Sequence, residues 1–199
     1  MVDEALVEVA VAEAPLPGET ESGDRPLVVS HRQGVLVAAV DGLGHGAEAA
    51  ESARIACAVL EEDPGADLPE LFLRAHRRLA RKRGVVMSVA SFGRDARLTW
   101  LGVGNVEGTL LRANAGTLAR ADSILLLGGV VGHGLPNLRP STRAVEAGDT
   151  LILATDGIHG AHMGGLVAPG SPRRMADRIM SEHASGTDDA LVVVARYAG

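Results

Sequence analysis

A chain of 199 residues, 46% hydrophobic and 22% charged, has the size and balance of one globular domain, residues 1–199, which excludes a disordered, collagen-like or low-complexity protein. Aromatic residues make up only 2% (Phe72, Phe92, Trp100 and Tyr197), too few rings for the stacking platform of a single-strand nucleic-acid binder, so the core has to be aliphatic. The net charge of −6 sits at the start: residues 1–24 hold seven acids and no Lys or Arg, which leaves the remainder (−6 less those seven) at +1, with no global basic field for a nucleic acid.

Strict alternation predicts a half-buried or edge strand over residues 5–12, ended by Pro15, Pro17 and Gly18. Two apolar runs, 27–30 and 35–40, flank the polar tetrad His31-Arg32-Gln33-Gly34 and predict a hairpin. After Asp41 a glycine-punctuated turn leads to an Ala- and Glu-rich helix over 47–62, stopped near Pro64 and Gly65, and a second helix is expected over 68–83. From Val85 the period changes to two, and strands over 85–92, 98–103, 107–111 and 123–127 read as consecutive hairpins. Strands over 142–145 and 150–154 follow, then a helix over 171–183 with Ser171 as N-cap and Pro172 at its first position, then a closing strand over 190–195. Helices clustered rather than alternating with strands argue for an α+β fold. About nine strands bury all their apolar faces if two antiparallel sheets face each other with helices outside both, a four-layer αββα sandwich.

The lone Cys57 cannot close an internal disulfide, the N-terminus lacks the cationic start of a secretory signal, and no apolar run reaches the roughly 18 residues of a membrane helix. A cytoplasmic protein with neither membrane nor nucleic-acid partner is expected.

Three acidic sites stand at the ends of apolar strands: Asp41 in Val40-Asp41-Gly42, Asp156 in Thr155-Asp156-Gly157, and Asp188-Asp189 before Ala190-Leu191-Val192. Carboxylates projected from strand ends toward one spot repel by several kcal/mol unless a cation neutralises them, and all-oxygen donors suit Mg or Mn rather than Zn or Cu. Glycine after the carboxylate permits close backbone approach and frees a carbonyl as a further oxygen donor. The plain alternative for any single Asp-Gly is turn chemistry.

The ordered motifs Asp41-Gly42-Leu43-Gly44-His45-Gly46, Thr155-Asp156-Gly157-Ile158 and Thr187-Asp188-Asp189-Ala190, with Ser22-Gly23-Asp24 upstream, resemble those of the PPM-type (type 2C) metal-dependent serine/threonine protein phosphatases. The absence of sensor modules, together with Lys82-Arg83-Gly84 and Gly102-Val103-Gly104-Asn105, resembles in particular the small stand-alone phosphatases of the bacterial stressosome. The resemblance implies two Mn or Mg ions and hydrolysis of phosphoserine or phosphothreonine on STAS-domain stressosome proteins, as feedback in stress signalling. It implies that Asp41 bridges the ions, that Gly42 ligates through its carbonyl, that Asp156 and Asp188 hold the first ion and that Asp24 serves the second, partly through water. Asp41, Asp156 and Asp188 would thus act through a metal-activated water, while Asp189 aligns with a neighbouring polar position. Asn105 stands where many members carry an aspartate tied to a third ion, so a third site is not expected here. A catalytically silent module of the same fold, docking onto a signalling complex, is the alternative.

Other features admit two readings each. Cys57, in an Ala-rich helix with no phosphate-cradling loop, reads as a small buried hydrophobe. His45, His159 and His162 lie near the Asp-Gly motifs at no zinc spacing; they are loop histidines, or a general acid beside the site. Six cations over residues 74–83 form a solvated helix face or a docking patch for an acidic partner. The glycine-rich stretch 127–135 lacks a Lys-Ser/Thr ending and reads as a flexible loop between strands.

Overall fold

The expected helices form, and all the expected strands but one, in the expected order, in the computed structural model, which describes residues 6–114, 121–159 and 170–199. Ala5, the first residue of the expected first strand, and His162 lie outside the described residues. One sheet has the order β1 (Val7–Ala14), β11 (Ala190–Tyr197), β10 (Thr150–Ala154), β6 (Glu107–Leu111), β7 (Ala121–Ser123). The other has the order β2 (Asp24–His31), β3 (Gly34–Gly42), β4 (Val85–Gly93), β5 (Arg97–Val103), β8 (Leu126–Leu127), and β9 (Ser141–Ala144) also pairs with β5. Helices α1 (Ala47–Glu62) and α2 (Leu68–Leu79) cover the outer face of the second sheet, and α3 (Pro172–His183) covers the outer face of the first.

Strand β3 shows why this makes four layers. Its side chains alternate faces: Val35, Val37 and Ala39 enter the core between the sheets with Phe92, Leu151 and Val193, while Leu36, Ala38 and Val40 meet Ala53, Leu60 and Phe72 of the helices. Both faces are buried, so the strand reads as an unbroken apolar run. On the far side Met175, Ala176 and Ile179 of α3 cover Ile152, Val192 and Val194. The scarcity of rings makes the few present count: Phe72 is fully buried, and its loss to Ala would cost about 3–5 kcal/mol.

Three expectations need correction. The strands after β5 are not consecutive hairpins: β6 crosses into the other sheet, and the expected single strand over 123–127 is two, β7 antiparallel to β6 and β8 parallel to β5, one in each sheet. The second sheet is therefore not purely antiparallel. Leu125, between the two pieces, is exposed, because the chain passes from one layer to the other at that point. Helix α2 ends at Leu79, not at residue 83, because Gly84 (φ +81°) turns the chain into β4 and the Gly132 backbone lies close over Leu79. The glycine-rich stretch is anchored rather than loose: Val85 and Val131 exchange backbone hydrogen bonds, and Val130 bonds Gly134.

Ser171 caps α3 as expected, its hydroxyl accepting from the Arg174 N–H at 3.4 Å. No helix among the described residues is long and apolar enough to cross a membrane.

Candidate metal centre

Strand register does the first part of the assembly. In the β2/β3 hairpin Asp24 lies directly opposite Asp41, and the Gly42 N–H donates to the Gly23 carbonyl at 3.0 Å just beyond them. Gly42 is required here: a Cβ would come within 2.1 Å of the Ala49 carbonyl oxygen, where the first turn of α1 packs on the end of β3. Helix and strand end are thus fixed against each other.

The opposite sheet supplies the other acids. Thr155 follows β10; its hydroxyl donates to Asp24 Oδ2 at 2.6 Å and accepts from the Leu191 N–H at 2.9 Å, so one side chain ties β10, β11 and β2 together. Asp156, next in the chain, is exposed and accepts from Asn105 Nδ2 at 2.7 Å. Gly157 lies against the Asp189 backbone so closely that a Cβ would stand 1.9 Å from its carbonyl oxygen. Asp188 is exposed, while Asp189 is buried.

The electrostatics follow from this convergence. Asp24 is pushed up to about 7 by burial first, against the lowering effect of the Thr155 hydroxyl, with Asp189, Asp156 and Asp188 adding to the rise. Asp41 is pushed up to about 8 by burial first, then by Asp24, Asp156, Asp188 and Asp189. Every charged neighbour that moves these two groups is another carboxylate. Among the described residues no three His, Cys, Asp or Glu side chains are already closed around a common point that would hold a metal. What the donors do share is chemistry: mutually repelling carboxylate oxygens at one end of the sandwich, from the buried Asp24 through the half-buried Asp41 to the exposed Asp156 and Asp188, which fits a hard divalent ion such as Mg or Mn.

All five expected residues, Asp24, Asp41, Gly42, Asp156 and Asp188, stand at this one end of the sandwich. Sequence reasoning missed the Thr155 hydroxyl; its position before Asp156 was visible, but its partner lies 131 residues away. A cleft of about 390 Å³ opens beside Asp156 and Asp188, lined also by Asn105, Thr155, His159 and Thr187. His159 thus borders the site, whereas His45 faces Glu19, with Nδ1 to Oε1 at 2.7 Å.

Cys57 is buried, and burial pushes its thiol up to about 12, which leaves no thiolate for chemistry at neutral pH. The basic segment is largely engaged on the surface: Arg74 with Glu70 and Asp63, Arg78 with Glu62, Lys82 with Glu51 and Arg83 with Glu48. These pairs favour the solvated-face reading over a free docking patch.

Two facing sheets covered by helices on both outer faces are the architecture of the PP2C-type (PPM) protein phosphatases, hydrolases of phosphoserine and phosphothreonine. The model of the stage II sporulation protein E (SpoIIE) family matches residues 31–198, and the chain belongs to that family. Among solved structures, one described as the bacterial stressosome, a modular system adapted to control secondary messenger signaling, contains a chain 28% identical over 96% of this chain and 99% of its own, with a TM-score of 0.87. RsbX in complex with magnesium is 20% identical over 97% of this chain and 96% of its own, at 0.86. The catalytic domain of the phosphatase PstP with two manganese ions is 18% identical over 98% and 99%, at 0.73. No curated protein matches in sequence.

Proposed function

We propose that this phosphatase is metal-dependent, uses two Mn or Mg ions, and removes phosphate from phosphoserine or phosphothreonine on STAS-domain regulatory proteins of a stressosome, as a feedback step in stress signalling. The observation that carries the reading is the Asp24 and Asp41 pair, register partners whose carboxyls are pushed up to about 7 and 8 with only acids as charged neighbours. Such a pair is stable in its ionised form only with a cation beside it.

In this reading Asp41 would bridge the two ions, Gly42 would offer its carbonyl, Asp156 and Asp188 would hold one ion and Asp24 the other. Bound divalent ions supply a water of lowered pKa and neutralise phosphoryl oxygens, so no protein nucleophile is called for. Thr155 fixes one Asp24 oxygen and leaves the other carboxylate oxygen for a ligand. Asn105 orients Asp156 in the same way. Thr187 and His159 line the cleft beside Asp156, where the peptide flanking the phosphate would lie in this reading. The likeness to RsbX and to a stressosome chain supports partners of the stressosome class, which in this reading lie in the cytoplasm.

The deciding experiment is phosphate release from serine- or threonine-phosphorylated STAS domains in the presence of Mn, with and without a chelator. Release that the chelator abolishes is expected. Release unaffected by the chelator, or none from any phosphorylated STAS domain, overturns the metal or the substrate part of the reading respectively.

A further inference from the structure

The buried Asp189 adjoins the exposed Asp188, and its surroundings differ from those of the other four acids. Both of its carboxylate oxygens accept from peptide N–H groups at opposite ends of one loop: Oδ1 from Leu16 and Oδ2 from Gly23, each at 2.8 Å, across 173 and 166 residues of sequence. Its own N–H donates to Asp188 Oδ1 at 2.8 Å. Gly23 in turn accepts from the Gly42 N–H through its carbonyl, and a Cβ on Gly23 would stand 2.9 Å from Ala49 Cβ and 3.1 Å from Asp189 Oδ2. A continuous path of hydrogen bonds therefore runs from the Asp188 carboxylate through Asp189 and Gly23 to Gly42, with Asp24 next to Gly23.

We propose that Asp189 is a positioning residue and not a metal ligand: its carboxylate staples the two ends of the loop over residues 16–23, and so holds Asp24, Gly42 and Asp188 in a common register. The inference rests on the reading of the acidic cluster as a metal site. Hydrogen bonds from peptide N–H to an ionised acceptor are about twice as strong as neutral ones, and here two of them join the ends of a short segment whose own backbone bond, Glu19 N–H to the Leu16 carbonyl, closes only its first turn. Removing the carboxylate leaves two peptide N–H groups without their acceptor and frees the segment that delivers Asp24.

The test has two arms on the whole protein, with Asp189→Ala and the near-isosteric Asp189→Asn, which keeps one oxygen acceptor. In the metal-free protein, hydrogen exchange is read at individual amides; with Mn added, calorimetry reads the number and affinity of bound ions. Faster exchange at Leu16 and Gly23 is expected, with β11 still protected, in the order wild type slowest, Asn intermediate, Ala fastest. Mn affinity is expected to fall roughly 10–100-fold, as when a group that orients a ligand is removed, with the Asn variant nearer wild type. Unchanged exchange at Leu16 and Gly23 overturns the staple. Loss of one ion outright in Asp189→Asn with exchange unchanged overturns it too and makes Asp189 a ligand. Wild-type protein that takes up no Mn while the exchange arm behaves as expected overturns the metal reading and supports the staple.

Discussion

The Thr155 hydroxyl stands 2.6 Å from Asp24 Oδ2 and joins the two sheets at the end where the acids gather. Thr155→Val keeps the shape and removes the hydroxyl, leaving the Leu191 N–H and one Asp24 oxygen without this partner. The variant should lose about 1–3 kcal/mol of stability, read by denaturant unfolding, because both groups are buried. Its Asp24 carboxyl should titrate still higher than in the parent, since this hydroxyl lowers it. A variant as stable as the parent would show that the bond contributes nothing to holding the sheets.

Asp41→Asn tests the proposed bridge between ions. The amide cannot carry the negative charge that two cations share, so Mn-dependent phosphate release should fall by at least about 100-fold while the fold survives, because one half-buried acid of raised pKa has been removed. Steady-state assay beside a circular-dichroism melt separates the two effects. Full activity would remove Asp41 from its assigned role.

Stability of the metal-free protein should fall with rising pH. The folded carboxyls of Asp24 and Asp41 hold their protons to about 7 and 8, whereas the unfolded ones release them near 3.8. Folded protein thus binds more protons in between; the contribution of each group is complete below about pH 4 and drains away at up to about 1.4 kcal/mol per pH unit until its folded pKa is passed. Melting temperatures from pH 4 to 9 should decline more steeply for the parent than for Asp24→Asn/Asp41→Asn. Added Mn should stabilise the parent more at pH 8.5 than at pH 5.5, because ions compete with those protons. Parallel curves for parent and double variant would contradict the assignment.

Asn105→Asp places a second carboxylate at the position of an amide that lies 2.7 Å from Asp156. Without metal the two would repel, so the variant should melt lower than the parent, and the deficit should shrink as Mn is added because a cation can occupy the new pair. Thermal-shift titration with Mn reads this directly; a deficit that Mn leaves untouched would show that the amide serves packing alone.

Much of the architecture was legible from periodicity because the core is layered. Strand β10 and helix α1 form over the residues their patterns indicate, and α3 begins at its Ser171 cap. The split of the expected strand over 123–127 was not legible, since its two halves carry the same apolar character and only the competition between sheets for partners separates them. The candidate site divides similarly. Asp24, Asp41, Gly42, Asp156 and Asp188 announce themselves by local motif, whereas Asp189 looks like a twin of Asp188 in sequence and is its opposite in the fold, buried and bonded to Leu16 and Gly23.

By itself the chain of residue types determined most of the strands and helices and which acids stand at strand ends, because those are properties of neighbours within a few positions. Tertiary structure decided what each acid faces. Whether a carboxylate meets the Thr155 hydroxyl or the Leu16 and Gly23 peptide N–H groups depends on segments more than 100 residues away, and that choice sets its surroundings and its part in the site.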